Sequence, residues 1–234
     1  SVLALTNRLG QRRFVTIVGP GGIGKTTVAV AVGHALAPAF ENQVSFVDLG
    51  PLGDPRLVPS AVASALGLTV NSADPVAGLV ASLRERRLLL IFDCCEHVIE
   101  PLAALAEALF KAGPAVHILA TSREPLRVEG EHIYRLSPLS CPPEGRDLRA
   151  TDILTFSAAQ LFVERATAAS DSFALTDAEV PAVAGICHRL DGIPLALELA
   201  AAGIDAFGVE GLASQLDRHL LLTVKGRRTA MPRH

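Results

Sequence analysis

Residues 19–27 read Gly-Pro-Gly-Gly-Ile-Gly-Lys-Thr-Thr, and they follow the apolar run Phe14-Val15-Thr16-Ile17-Val18. A strand that leads into a Gly-x-x-x-x-Gly-Lys-Thr loop and then into a helix, here expected over residues 26–37, is typical of a phosphate-binding loop. The glycines let the backbone curl so that successive N–H groups face an anion, and the positive end of the helix adds to that field. The stretch therefore predicts a nucleotide-binding site; the alternative is an ordinary strand, turn and helix.

Two side chains of this loop are expected to act directly on the ligand. Lys25 would reach the β- and γ-phosphates, and the Thr26 hydroxyl would ligate Mg²⁺. The backbone around them would cradle the phosphates. The residues predicted to bind the nucleotide here are Gly19, Pro20, Gly21, Gly22, Ile23, Gly24, Lys25, Thr26 and Thr27.

The composition of the 234 residues restricts the class of protein. Half of them are hydrophobic, 19% are charged and 4% are aromatic, which suits an α/β core with closely packed helices. The net charge of −3 gives no indication that the chain binds nucleic acid directly. The basic residues at 225–228 and 233 resemble a solvated tail. No apolar run reaches 18 residues and no signal peptide is visible, so no membrane contact is expected. Four cysteines without Cys-x-x-Cys spacing predict reduced thiols and a cytoplasmic protein.

Short apolar runs alternate with helical patterns in the first 140 residues. Continuous apolar runs without alternation indicate strands of a parallel sheet that is buried on both faces. One intervening helix is expected to start at Pro101. The pattern predicts a three-layer α/β domain of the P-loop NTPase type over residues 1–140. The expected strands are residues 14–18, 44–48, 88–92, 116–120 and 132–136.

The pattern changes after Leu136, where the strand signals end. Residues 137–145 are rich in Pro, Ser and Gly, and a linker is expected over residues 141–152. Capping boxes at residues 157–160 and 176–179 would open two helices, and further helices are expected from Pro194 and from about Val209. Residues 153–234 are therefore predicted to form a small all-helical domain.

A metal partner for the phosphate loop is predicted at the end of another apolar run. Residues 88–93 read Leu-Leu-Leu-Ile-Phe-Asp, which puts Asp93 at the C-terminal edge of the sheet, where open parallel sheets bind ligands. We expect Asp93 to hold Mg²⁺, directly or through water, opposite Thr26. On its own, Asp93 could equally cap the next helix.

Hydrolysis would also need a group that orients the attacking water. The residue after Asp93 is Cys94, and a neutral thiol is a poor base. Glu96 is therefore the candidate catalytic carboxylate, with capping of the helix that starts near Val98 as an equal alternative. We expect slow turnover for this reason.

A further phosphate contact is expected where the fourth apolar run ends, in Ala120-Thr121-Ser122-Arg123. If this strand lies between the strand before the phosphate loop and the strand that ends at Asp93, Arg123 points at the γ-phosphate. A guanidinium there distinguishes a triphosphate from a diphosphate by bidentate contact. The alternative is a surface arginine at a strand end.

Together these segments resemble the NB-ARC-type nucleotide-binding module of STAND ATPases, most closely that of bacterial transcriptional regulators. The resemblance implies that Arg123 is the sensor arginine of the family. It also implies that Pro194, in Gly192-Ile193-Pro194, contacts the base or sugar from the helical domain, whereas from the residues alone Gly192 and Pro194 only punctuate helices. The helical domain would be a lid, closed on ADP and released on ATP exchange. The matching segments are residues 15–27, 88–97, 118–126, 133–140 and 190–202.

Two departures from the family pattern bear on function. Cys94 stands where many relatives have an acid or an Asn, which weakens the case for fast hydrolysis. The chain also begins too near the phosphate loop to include the Gly-Arg segment that helps hold adenine, and it ends where relatives continue into a winged-helix domain and sensor repeats. The resemblance implies a fragment of a larger protein with lowered affinity and blurred adenine selectivity.

The sequence thus predicts a regulatory ATP/ADP switch module with slow Mg²⁺-dependent ATPase activity, from a signal-transduction or transcription-regulating protein. Its expected partners are the nucleotide, other domains of a larger chain and further copies of itself. One alternative is a nucleotide-binding oligomerisation scaffold that does not hydrolyse, which Cys94 favours. A second is a P-loop phosphotransferase, for which residues 83–87 are the only candidate arginine-rich lid.

Overall fold

The computed structural model describes residues 1–69, 74–143, 148–171 and 173–226, with side chains in the last helix described as far as residue 216. This part of the chain forms two compact units, Ser1–Ser137 and a second unit from Pro138 onward. None of its helices is both long enough and apolar enough to cross a bilayer. The predicted basic cluster at residues 225–228 and 233 lies outside the described side chains.

The first unit is built on a five-stranded sheet in which all paired strands are parallel. The strand order is β2-β3-β4-β1-β5, so β2 and β5 are the edges. Each predicted strand is present, with bounds within two residues of those expected. The strands are β1 Phe14–Val18, β2 Val44–Asp48, β3 Leu88–Asp93, β4 Val116–Ser122 and β5 His132–Arg135.

Helices cover both faces of this sheet and give the predicted three layers. Along β3, Leu88, Leu90 and Phe92 belong to one core, and Leu89 and Ile91 belong to the other. This explains why the central strands read as unbroken apolar runs, since both sides of each strand are buried. The edge strands differ, because β2 and β5 are only partly buried. The helices of this unit are α1 Val2–Gln11, α2 Lys25–Leu36, α3 Val58–Ala65, α4 Pro75–Leu83 and α5 Ile99–Ala112.

The helices α1 and α5 of this unit differ most from expectation. The helix α1 was not predicted; it buries Leu5 and Leu9, which are one turn apart and face the same core as Val15. The helix α5 begins at Ile99, so Pro101 is its third residue and not its first. Pro101 still fits there, because the N–H that it lacks is one of those without a partner in the first turn.

The second unit is all-helical, as predicted, and its described helices surround one core that includes Phe162, Val183, Cys187 and Leu197. The long helix α10 is kinked at Gly208, which has φ 63°, so its second part begins near the predicted Val209. The short helix α6 occupies the end of the segment expected to be a linker. The helices are α6 Ala150–Ile153, α7 Ser157–Ala169, α8 Val180–Arg189, α9 Pro194–Ala201 and α10 Ile204–Gly226.

The two predicted capping boxes are not formed as expected. Ser157 is the first residue of α7, and its hydroxyl accepts a hydrogen bond from the Ser140 N–H at 2.9 Å, so it caps no group of its own helix. At the second box, Glu179 Oε2 does accept from the Thr176 N–H at 2.8 Å, but Thr176 directs its hydroxyl to the same carboxylate. A Ser or Thr motif alone does not determine the helix start, because a neighbouring backbone group can take the hydroxyl.

Candidate functional site

Three neighbouring strands bring the predicted site residues of the first unit to one edge of the sheet. β4 lies between β1 and β3, which is the arrangement on which the expectation for Arg123 depended. Because the strands are parallel, β1 ends at the glycine-rich loop, β3 ends at Asp93, and β4 ends just before Arg123, all at the same edge. Carboxyl ends of adjacent parallel strands are where this class of sheet binds ligands.

Two glycines of the loop after β1 have left-handed backbone conformations. Gly22 and Gly24 have φ values of 74° and 92°, a region that side chains with a Cβ rarely adopt. The helix α2 begins at Lys25, directly after Gly24 and one residue earlier than predicted. The loop therefore leads straight into a helix N-terminus, whose free N–H groups and dipole favour an anion.

The Lys25 ammonium lies against the backbone of this same loop. Its Nζ donates to the Gly19 carbonyl at 2.9 Å and to the Pro20 carbonyl at 3.0 Å. An ammonium has three protons in rotatable positions, so these contacts hold the charge at the loop without fixing it to one acceptor.

Thr26 and Asp93 are joined by hydrogen bonds beside the loop. The Thr26 hydroxyl lies 2.9 Å from both carboxylate oxygens of Asp93, which is only 3% exposed. A buried carboxylate is costly unless donors surround it, and these hydroxyl contacts meet that need. A hydroxyl and a carboxylate are also the hard oxygen ligands that Mg²⁺ prefers, so the pair fits the expected metal.

Thr121 is a site residue that the sequence reasoning missed. Its hydroxyl donates to Asp93 Oδ1 at 2.5 Å and accepts the Cys94 backbone N–H at 3.0 Å. Thr121 thereby ties the end of β4 to the turn that follows β3. Thr121 lies at the end of β4, and its role depends on β3 and β4 being neighbours in the sheet.

The turn after β3 begins with an unusual backbone at Cys94. This residue has φ 57° and ψ 52°, the left-handed region, and a 3-10 turn over Cys95–His97 follows it. Burial, and then the charge of Asp93, raise the pKa of the Cys94 thiol to about 11. At neutral pH the thiol is therefore protonated and offers no base for water. Ligand atoms of Asp48, Asp93 and Cys94 lie within 4.8 Å of one another, the one such metal-capable group in the described ranges.

Glu96 and Arg123 form an ion pair at this edge. Arg123 Nε lies 3.1 Å from Glu96 Oε1, and the arginine side chain is 68% exposed while that of Glu96 is 25% exposed. Among the described residues, neither Glu96 nor the N-cap residue Val98 donates or accepts a side-chain hydrogen bond at the N-terminus of α5, so the alternative role expected for Glu96 is not observed. The other carboxylate oxygen, Oε2, is shielded from solvent and makes no hydrogen bond within the described part of the chain.

Pro194 is the first residue of α9, in the second unit. It follows Asp191 and Gly192, which have φ values of 52° and 61° and end the preceding helical stretch. The Gly192 carbonyl accepts a hydrogen bond from the Leu139 N–H at 3.0 Å. These residues therefore punctuate helices, which is the part of their expected role that follows from the residues alone.

Proteins of similar sequence include some that are named transcriptional regulators. The chain is 37% identical over 229 residues to a Mycobacterium tuberculosis protein whose name describes it as an HTH-type transcriptional regulator, covering 96% of the chain and 24% of that protein. It is 37% identical over 216 residues to an uncharacterized protein of the same organism, covering 92% of the chain and 52% of that protein. The chain thus spans about a quarter to a half of the length of these relatives. No protein-family model matches it.

Solved structures of similar fold include a STAND ATPase and a chain of a complex bound to DNA. A signal transduction ATPase (STAND) protein with a tetratricopeptide repeat sensor from Pyrococcus horikoshii matches with a TM-score of 0.51 and 18% identity, over 83% of the chain and 28% of that protein. A chain from the Drosophila origin recognition complex bound to DNA matches with a TM-score of 0.58 and 12% identity, over 99% and 68%. At these identities the likeness concerns the fold. The predicted fold class, an α/β P-loop domain followed by a helical part, is confirmed.

Proposed function

We propose that this chain is the ATP/ADP-binding switch module of a transcription-regulating protein, of the NB-ARC type found in STAND ATPases. The observation that carries the proposal is the Thr26–Asp93 pair, which places a hydroxyl and a buried carboxylate directly beside a glycine-rich loop and a helix N-terminus. Relatives named as transcriptional regulators, and a STAND ATPase of similar fold, support the regulatory assignment.

In this proposal, different residues of the first unit contact different parts of the nucleotide and its metal ion. The backbone of residues 19–27 cradles the phosphates, and Lys25 moves from the Gly19 and Pro20 carbonyls to the β- and γ-phosphates. Thr26 and Asp93 hold Mg²⁺, which supplies positive charge to the phosphate oxygens when it is bound. Arg123 contacts the terminal phosphate, since its strand lies between those of the loop and of Asp93.

The second unit would supply the switch. Pro194, at the start of α9, would cover the base or sugar, so that the helical unit closes on ADP and is released when ATP replaces it. Other domains of a longer chain would read that change, and copies of the chain would associate.

Hydrolysis is proposed to be slow. The protonated Cys94 thiol provides no base, and Glu96, the candidate for orienting water, already contacts Arg123. The same observations favour a second candidate function, a nucleotide-binding oligomerisation scaffold without turnover. Repeated release of phosphate by the purified chain, abolished in Lys25→Ala, would exclude the scaffold.

Nucleotide binding itself is tested by titration. The purified chain is first denatured and any released nucleotide identified by chromatography, and ADP or ATP with Mg²⁺ is then titrated calorimetrically. We expect saturable binding that is lost in Lys25→Ala and retained in Lys111→Ala, a surface lysine that pairs with Glu107 and Glu129. A folded chain that releases no nucleotide and takes up neither ADP nor ATP would contradict the proposal.

A further inference from the structure

We infer that Glu96 is a positioning residue that sets the preference of this site for a triphosphate over a diphosphate, by holding the guanidinium of Arg123 towards the phosphate loop. The inference rests on the proposed function, since it concerns how the same site reads its nucleotide. It differs from a hydrolytic role for Glu96, because it acts on binding and needs no reaction.

The first observation is which atom of Arg123 is engaged. The Glu96 carboxylate lies beside Nε, with Oε1 3.1 Å from it, and this ion pair is the only polar contact of the Arg123 side chain among the described residues. The guanidinium has five N–H donors in a planar fork, so the edge formed by its two terminal nitrogens is left for another acceptor. Glu96 and a phosphate can therefore bind the same arginine together, through different edges.

The second observation is the direction of that remaining edge. A Cβ built on Gly21, in the phosphate loop, would lie 3.8 Å from Arg123 Nη2. The terminal nitrogens are thus next to the loop that is proposed to hold the phosphates. A fork of this kind makes bidentate contacts with phosphate oxygens.

The third observation is that Glu96 is better anchored than its partner. Its side chain is 25% exposed against 68% for Arg123, and it projects from a short turn whose first N–H is bound by the Thr121 hydroxyl. A long exposed arginine loses considerable rotamer freedom when it binds a ligand. An anchored carboxylate beside Nε removes part of that freedom beforehand, so less is lost when the γ-phosphate is contacted.

The predicted readout is the ratio of two affinities. Only ATP has a γ-phosphate for Arg123 to contact, so the ordering of its side chain should affect ATP more than ADP. We expect a change of about three- to tenfold in the ratio, or about 0.65–1.4 kcal/mol, which lies within the cost of ordering one such side chain. The negative charge of Glu96 repels both nucleotides and largely cancels in that ratio.

The test uses the full chain with Mg²⁺ and compares ADP with β,γ-imido ATP, which is not hydrolysed. We expect Glu96→Ala to lower the ratio of ATP-analogue affinity to ADP affinity about three- to tenfold. Glu96→Gln keeps the length of the side chain but removes the charge of the ion pair, so it should lower the ratio as Glu96→Ala does. Glu124→Ala removes a neighbouring carboxylate that faces Arg127, and it should leave the ratio unchanged.

The double variant isolates the pair. In an Arg123→Ala background, Glu96→Ala should have no further effect on the ratio, since the group through which it acts is gone. If Glu96→Ala does not fold, Glu96→Met takes its place, because it has a similar length and no carboxylate oxygen.

Several results would overturn the inference. One is an unchanged or raised ratio of ATP-analogue to ADP affinity in Glu96→Ala, which is the result expected if Glu96 only competes with phosphate for Arg123. Another is a fall of that ratio on Glu96→Ala in the Arg123→Ala background. In these cases the wild-type chain still binds nucleotide, so the proposed function stands. A wild-type chain that binds neither nucleotide would remove both.

Discussion

The hydroxyl of Thr121, at the end of β4, donates a 2.5 Å hydrogen bond to the Asp93 carboxylate at the end of β3. The same hydroxyl accepts the N–H of Cys94, so one small side chain joins two strands and the turn between the proposed metal ligand and Glu96. A buried carboxylate and a backbone N–H thus depend on Thr121 together.

Thr121→Val keeps the shape of the side chain and removes both hydrogen bonds. Because it leaves a buried charged acceptor short of a donor, we expect the free energy of unfolding to fall by about 1–3 kcal/mol. Urea denaturation measures this. Thr6→Val is the control, since the Thr6 hydroxyl only bonds the Val2 carbonyl within its own helix, and equal losses in the two variants would refute the special role of Thr121.

Gly24→Ala tests the backbone of the phosphate loop without a steric clash. No heavy atom lies within 4 Å of a Cβ at this position, but φ is 92°, so the cost comes from the main chain alone. We expect a loss of about 1–3 kcal/mol in unfolding free energy, together with weaker ADP binding. Gly10→Ala is also unobstructed and lies in α1, where alanine should stabilise by about 0.5–1 kcal/mol. Opposite signs in thermal melts are the expected result; a shared sign would count against the strained loop.

Arg13 supports the C-terminal end of α5. Its Nη1 donates to the Gly113 carbonyl at 2.8 Å and to the Phe110 carbonyl at 3.2 Å, and its guanidinium lies 4.2 Å from the centre of the Phe110 ring. Arg13→Lys keeps the charge but loses the planar fork, so we expect a loss of about 1–2 kcal/mol by denaturant unfolding. The neighbouring and exposed Arg12, changed to Lys, should cost less than about 0.5 kcal/mol. A similar cost for both would argue against the role of the fork.

The stability of the chain should depend on pH through His117. This imidazole packs against Phe40, with ring centres 4.9 Å apart, and burial followed by the charges of Arg13 and Arg87 lowers its pKa. The unfolded chain then binds a proton more readily than the folded chain, so the stabilising contribution is present above about pH 6.5 and is lost as the pH falls below it.

His117→Gln should therefore reduce the loss of stability between pH 7.5 and pH 5, as measured by urea unfolding at each pH. Between pH 7.5 and pH 8.5 the variant and the wild type should show the same change, because His117 is neutral in both states there. An unaltered acid dependence in the variant would show that other groups cause it.

Much of the first unit could be predicted because its signals are local. Each central strand is buried on both faces, so it appears in the sequence as an unbroken apolar run. The glycines of the loop indicate where the backbone can adopt left-handed conformations. Asp93 and Arg123 could be placed at strand ends for the same reason. That Arg123 belongs beside the loop needed the lateral order of the strands, which the sequence left conditional and the structure supplies.

The parts that escaped prediction depend on contacts between segments distant in the chain. Thr121 bonds Asp93 from the neighbouring strand, and Glu96 pairs with Arg123, which lies 27 residues further along the chain. No short sequence pattern indicates either contact. Ser157 failed as a helix cap for a similar reason, because Ser140 took its hydroxyl. Where a side chain has one polar group and several available partners, the packing of the folded chain determines which partner it bonds.

The left-handed backbone at Cys94 limits which amino acids natural or designed variants can carry there. Gly, Asn and Asp adopt φ values near 57° with little strain, whereas Val and Ile would crowd the neighbouring carbonyl. Main-chain geometry should therefore restrict the amino acids found at this position more strongly than side-chain reactivity does. The thiol is then one of several tolerated groups, and its replacement by Asn or Gly should preserve the turn that carries Glu96.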